Sequence, residues 1–152
     1  MKIRSVEVAT DAMDARDFES EVARQLVMFL PSLTRVGLSN SLTSPGIEGD
    51  FFARSRGGAH LIFEVKYVPP GASFSFVLFP GLASRRDRVV EALAPRPAAL
   101  IVMTNQLVPD PVRQLFQKDR IPLVVVDNNP SLTKERLRDG LKALELTVPE
   151  LA

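Results

Sequence analysis

The chain of 152 residues contains no cysteine. Disulfides and thiolate metal sites are thereby excluded, and the usage fits a reducing, cytoplasmic setting. There is no surplus of either charge: 19 Lys and Arg stand against 18 Asp and Glu, for a net charge of +1. Nothing global attracts a polyanion, so any nucleic-acid binding must rest on a local patch. No apolar run approaches the ~20 residues of a membrane helix, and the N-terminus has no apolar core of a secretory signal; no membrane partner is expected. There is no internal repeat, no Gly-rich phosphate loop and no nucleophile elbow, which leaves little support for a small-molecule enzyme. The single histidine, His60, precedes an apolar run and reads as a surface residue.

What is present suits one soluble domain, residues 1–152. Hydrophobic content of 45% and charged content of 24% are ordinary. Lys2 to Ala9 reads as a short strand or an extended arm. Asp14 to Leu30 reads as a first helix ended by Pro31. On its wheel Glu19 falls among Val22, Ala23, Leu26 and Leu30, while Glu21 turns away with Met28. A carboxylate inside an apolar stripe is costly unless paired or metal-bound; the plainer alternative is that Glu19 reaches solvent or caps an amide. Arg35 to Leu38 reads as a short strand, followed by a polar loop over Ser39 to Ser44. Ser73 to Phe76 alternates like a strand, and the aromatic 73–79 segment reads as a packed extra strand, with a dimer surface or a base-stacking platform of Phe74, Phe76 and Phe79 as the alternative. Leu82 to Ala94 reads as a helix with Arg86 on its apolar face and Arg85 and Arg88 at the border. Such an inward arginine would touch a phosphate, pair with a carboxylate, or extend its head to water. Ala98 to Thr104 and Ile121 to Val126 read as buried strands around a helix over Pro109 to Arg120, a right-handed parallel βαβ unit. Thr133 to Leu146 closes the chain as an amphipathic helix.

The most informative stretch is Gly46 to Lys66, GIEGDFFARSRGGAHLIFEVK. It reads as a hairpin. Glu64 and Lys66 are two apart and share a face. A three-residue loop at Arg56-Gly57-Gly58 sets Asp50 opposite Glu64, with Cβ atoms about 5 Å apart. Two carboxylates that close repel unless a proton or cation lies between them, and a hard divalent cation suits the pair.

Asp50 followed by Glu64-Val65-Lys66 resembles the D…(D/E)-x-K signature of the restriction-endonuclease-like (PD-(D/E)xK) nuclease superfamily. Phe18-Glu19 with Val22-Ala23 looks like the superfamily's first-helix glutamate. The segment from Ala99 through Asn129 is similar to the closing half of modified-DNA restriction and Holliday-junction-resolvase-type domains. Gly49 departs from the pattern, standing where the superfamily name has proline. The resemblance, over roughly residues 15–130, implies an α/β fold with a restriction-endonuclease-like core. Its central mixed sheet of four to five strands would be flanked by helices in the order α-β-β-β-α-β-α-β-α.

It also implies a chemistry. Asp50, Glu64 and the Val65 carbonyl would hold Mg²⁺ or Mn²⁺. Lys66 would orient the attacking water, and Glu19 would hold a second ion or its water. Arg54, Arg56, Arg85, Arg86 and Arg88 offer phosphate contacts, which position nucleic acid without reading sequence. The expected function is a Mg²⁺-dependent endonuclease on DNA, with RNA left open and little sequence specificity. A homodimer or two separate events would be needed to cut both strands. The competing reading is a catalytically inactive nuclease-fold module for nucleic-acid binding or assembly.

Overall fold

The computed structural model describes residues 14–35, 49–72 and 79–152. The readings placed on Lys2 to Ala9, on Ser39 to Ser44, on Val36 to Leu38 and on most of the aromatic 73–79 segment lie outside these.

The elements follow the expected order. They are α1 (Ala15–Phe29), β1 (Thr34–Arg35), β2 (Phe51–Arg54), β3 (His60–Lys66), α2 (Phe79–Leu93), β4 (Ala98–Thr104), α3 (Asp110–Lys118), β5 (Leu123–Val125) and α4 (Pro130–Lys142), with a final 3-10 turn at Pro149–Leu151. The five strands form one mixed sheet in the order β1-β2-β3-β4-β5. The β1-β2-β3 half is antiparallel, and β3-β4-β5 is parallel.

Strand periodicity distributes the core. Phe51, Leu61, Phe63, Ile101, Met103 and Val124 face one side, where they meet Phe18, Val22 and Leu26 of α1 and Leu137 and Leu141 of α4. Phe52, Ile62 and Leu100 face the other side under Val89 of α2. Val102 there meets Leu82 of α2 and Val112 and Phe116 of α3. Phe51 and Phe52 are both buried, as a strand covered on both faces requires.

Local chemistry sets the element ends. Asp14 caps α1 by accepting from the Asp17 amide in a reciprocal capping box. The hairpin between β2 and β3 turns over Arg56-Gly57-Gly58, with Gly58 at φ 98° and its N–H donating 2.9 Å to the Ser55 carbonyl. Glu150 fastens the tip, accepting from Ser55 Oγ and the Arg56 amide, each at 2.8 Å.

Two helix starts differ from the periodicity reading. α4 begins three residues early, because Pro130 fits the first helical turn and Asn129 caps it by accepting from the Ser131 amide. Thr133 therefore lies inside the helix, buried, with its hydroxyl between the backbone N–H and C=O of Asp127. α2 begins at Phe79, so Phe79 belongs to a helix and not to an extra strand. His60 is a correction too. It opens β3, is buried, and meets the Phe52 ring edge-on at 5.6 Å. Among the described residues, no helix is long and apolar enough to cross a membrane.

Candidate active site

The register pairs Phe51 with Phe63 and Arg54 with His60. Continued one pair, this register would set Asp50 opposite Glu64, as the three-residue loop predicts. The regular pairing ends at Phe51: the Asp50 amide donates 2.8 Å to the carbonyl of Phe63, the residue already paired with Phe51, so Asp50 sits one step out of the ladder, as at a bulge. The Asp50 side chain turns to β3, its Oδ2 accepting 2.7 Å from the Val65 amide. Gly49 has a steric reason to be glycine. A Cβ there would stand 2.6 Å from Ile62 Cγ2, and a proline would meet the same obstruction.

Glu64 and Lys66 lie on the α2 side of the sheet. Both oxygens of Glu64 are engaged: Oε2 by Lys66 Nζ at 2.8 Å, and Oε1 by Arg85 Nη2 at 2.7 Å. The side chains of Glu64 and Arg85 are only 11% and 17% exposed, so solvent screens this pair little. Burial pushes the Glu64 carboxyl up, but the bonds and charges of Arg85 and Lys66 prevail and leave it below its ordinary value. Asp50 goes the other way. Burial raises it against the Val65 hydrogen bond; the negative charges of Glu64 and Glu19 raise it further, against Lys66. Two adjoining carboxylates are thus driven apart, a pattern frequent at functional sites.

Glu19 lies on α1, which packs on the opposite face of the sheet. It is half-buried and pairs with Arg35 at 3.2 Å, while Arg35 lies 5.0 Å over the Phe51 ring. Its charge reaches Asp50, yet among the described residues no group of three or more His, Cys, Asp or Glu side chains is placed to hold a metal ion. Asp50 and Glu64 are carboxylate oxygen donors of the type that a hard divalent cation takes.

The arginines divide. Arg85, not Arg86, points at the carboxylates; Arg86 turns to Asp87 at 3.0 Å, and Arg88 donates to Ser84. One helical position of rotation, too fine for a wheel without the packing, decides this. Arg54 and Arg56 are at the hairpin tip, at the opposite end of β3. Four residues at ~3.3 Å each separate His60, the partner of Arg54, from Glu64 along β3, about 13 Å. They do not join the site.

Polar residues at the strand ends hold this geometry. Thr104, wholly buried and paired with Lys66 in the parallel register, donates 2.8 Å to the Lys66 carbonyl. Asn105 clamps Val68 at both its N–H and its C=O. No periodicity points to Asn105; its mark in the sequence is a polar pair, Thr104-Asn105, closing an apolar strand. The helix wheel turns Glu21 to the far side, but Glu21 is half-buried and accepts from buried Gln25, which in turn donates 2.7 Å to the Asp127 carbonyl.

No protein-family model matches the chain, and no curated protein does. Among solved structures the chain is similar to the MspJI restriction endonuclease in complex with a 27-mer oligonucleotide. Identity is 16% and the TM-score 0.37, over 90% of this chain. The chain spans 37% of the length of that protein chain. The five-stranded mixed sheet with two helices on each face is compatible with a restriction-endonuclease-like core.

Proposed function

We propose that the chain is a metal-dependent nuclease that hydrolyses phosphodiester bonds of DNA with little intrinsic sequence specificity. The observation that carries this reading is that the Asp50 carboxylate is held by the amide of Val65, the residue between Glu64 and Lys66, whose side chains meet at 2.8 Å.

A divalent cation held by Asp50, Glu64 and the Val65 carbonyl would supply Lewis-acid charge for the phosphate and its nucleophile. The chain's own groups do the rest. The Val65 amide fixes one Asp50 oxygen and leaves the other free to accept or ligate. Lys66, partly exposed beside Glu64, can hold a water by hydrogen bond and stabilise charge developing on a phosphate oxygen. Arg86 and Arg88, at the same end of the molecule, can approach flanking phosphates. Among the described residues there is no separate sequence-reading module, which favours backbone contacts over base readout. Each copy would cut one strand.

The test is plasmid nicking with Mg²⁺ by wild type and Lys66→Ala. Loss of nicking in the variant is expected, and equal activity would sink the assignment.

One observation favours a second reading, a non-catalytic nuclease-fold module. Both Glu64 oxygens already carry cationic partners, a charge balance that needs no metal. That reading requires no cleavage of any nucleic acid and no loss of divalent binding in Asp50→Asn.

A further inference from the structure

A cation entering between Asp50 and Glu64 does not find a bare carboxylate. It meets Arg85 Nη2 at 2.7 Å from one Glu64 oxygen and Lys66 Nζ at 2.8 Å from the other. Each oxygen keeps a further lone pair, but a divalent ion placed there would repel both cations at contact distance, and releasing one of them relieves it. We propose that Arg85 is an exchangeable latch: it holds Glu64 until a divalent cation takes that carboxylate, then transfers its guanidinium to a phosphate of the bound nucleic acid. This rests on the nuclease reading and names how its two ligands are coupled.

Placement singles out Arg85. Lys66 is on the same strand as Glu64, two residues along, and its backbone is tied to β4 through Thr104. It stays beside the carboxylate wherever its head points. Arg85 reaches Glu64 from a different element, α2, whose buried Leu82 and Val89 fix the helix on the sheet. Its long side chain can turn without moving the helix. Arg86 and Arg88 are occupied by Asp87 and Ser84 and do not reach Glu64. Arg35 serves Glu19 on the other face.

The chemistry of the exchange is matched on both sides. A guanidinium forms the same forked, charge-assisted bonds with a carboxylate and with a phosphate, so it loses little when it changes one for the other. A cation on Glu64 makes Arg85 available for phosphate, and a phosphate on Arg85 keeps Glu64 open for the cation. The two affinities must therefore rise together, by the same factor in either order.

Calorimetric titration of Ca²⁺, a hard cation taking the same oxygen ligands, with and without a short DNA duplex, tests this. In wild type the duplex should raise Ca²⁺ affinity about 5- to 100-fold, the ordinary range of such coupling. In Arg85→Gln, Ca²⁺ should bind without DNA at least as tightly as in wild type, and the duplex should raise that affinity by less than about twofold. Arg85→Lys, which keeps the charge and loses the fork, should retain the weak DNA-free binding with a reduced enhancement; it is the variant to read if the glutamine form melts early. Full enhancement in Arg85→Gln, or weaker DNA-free binding there, overturns the latch while leaving the nuclease reading intact. Wild-type Ca²⁺ binding that survives Asp50→Asn, or no binding at all, removes the nuclease reading and the latch with it.

Discussion

Replacing Gly49 with alanine is the sharpest probe of how the site is built. The added Cβ would stand 2.6 Å from Ile62 Cγ2 and 3.1 Å from the Phe63 carbonyl oxygen. Ile62 is fully buried, and its γ-methyl branches at Cβ, so it cannot swing aside within its preferred rotamer. Relief requires moving β3 or the Gly49-Asp50 backbone, and overpacking of this kind costs about 1–3 kcal/mol. The lost flexibility of the unfolded chain returns about 0.4–1 kcal/mol. Gly49→Ala should therefore lower the unfolding free energy by about 1–2 kcal/mol, read as a shifted urea midpoint with an unchanged slope. Ile62→Leu removes the β-branch at nearly constant volume and costs under about 1.5 kcal/mol alone. Combined with Gly49→Ala it should recover about 1 kcal/mol relative to additivity. A stable Gly49→Ala, or strict additivity in the double variant, would refute the close approach. The same backbone carries the Asp50 amide bond to Phe63, so Gly49→Ala should also weaken divalent binding.

Asp50 and Glu64 should respond to pH in opposite directions. The folded-state value of Asp50 is raised, so its ionised form costs stability at neutral pH, and that cost vanishes as pH falls through the raised value. Asp50→Asn should accordingly stabilise the protein near neutrality while its divalent binding is lost, the gain shrinking in acid; denaturation across pH checks this, and a destabilised variant would contradict it. The folded-state value of Glu64 is lowered, so its contribution is present above the ordinary carboxylate range and lost as pH falls through the lowered value. Glu64→Gln should be least stable relative to wild type at neutral pH, with the deficit closing in acid. Thr104→Val leaves the Lys66 carbonyl without its 2.8 Å donor and should cost about 1–3 kcal/mol in chemical denaturation. Glu150→Ala removes the two acceptors at the hairpin tip; it should cost about 1–3 kcal/mol and speed amide exchange at Arg56 and Gly58.

Element order, the hairpin register and the face shared by Glu64 and Lys66 were legible from the sequence alone. Each is a local property: period-two alternation, an odd loop closed by glycine, helix ends marked by Asp14 and proline. Tertiary structure decided which arginine serves Glu64, because Arg85 and Arg86 differ by one helical step whose direction depends on how α2 lies on the sheet. It also decided that His60 is buried under Phe52 and that Glu19 pairs with Arg35, since both partners come from elements whose approach no local pattern encodes. The glycine at position 49 joins the two levels: its identity is written in the chain, but the obstruction that requires it is a methyl group on the neighbouring strand.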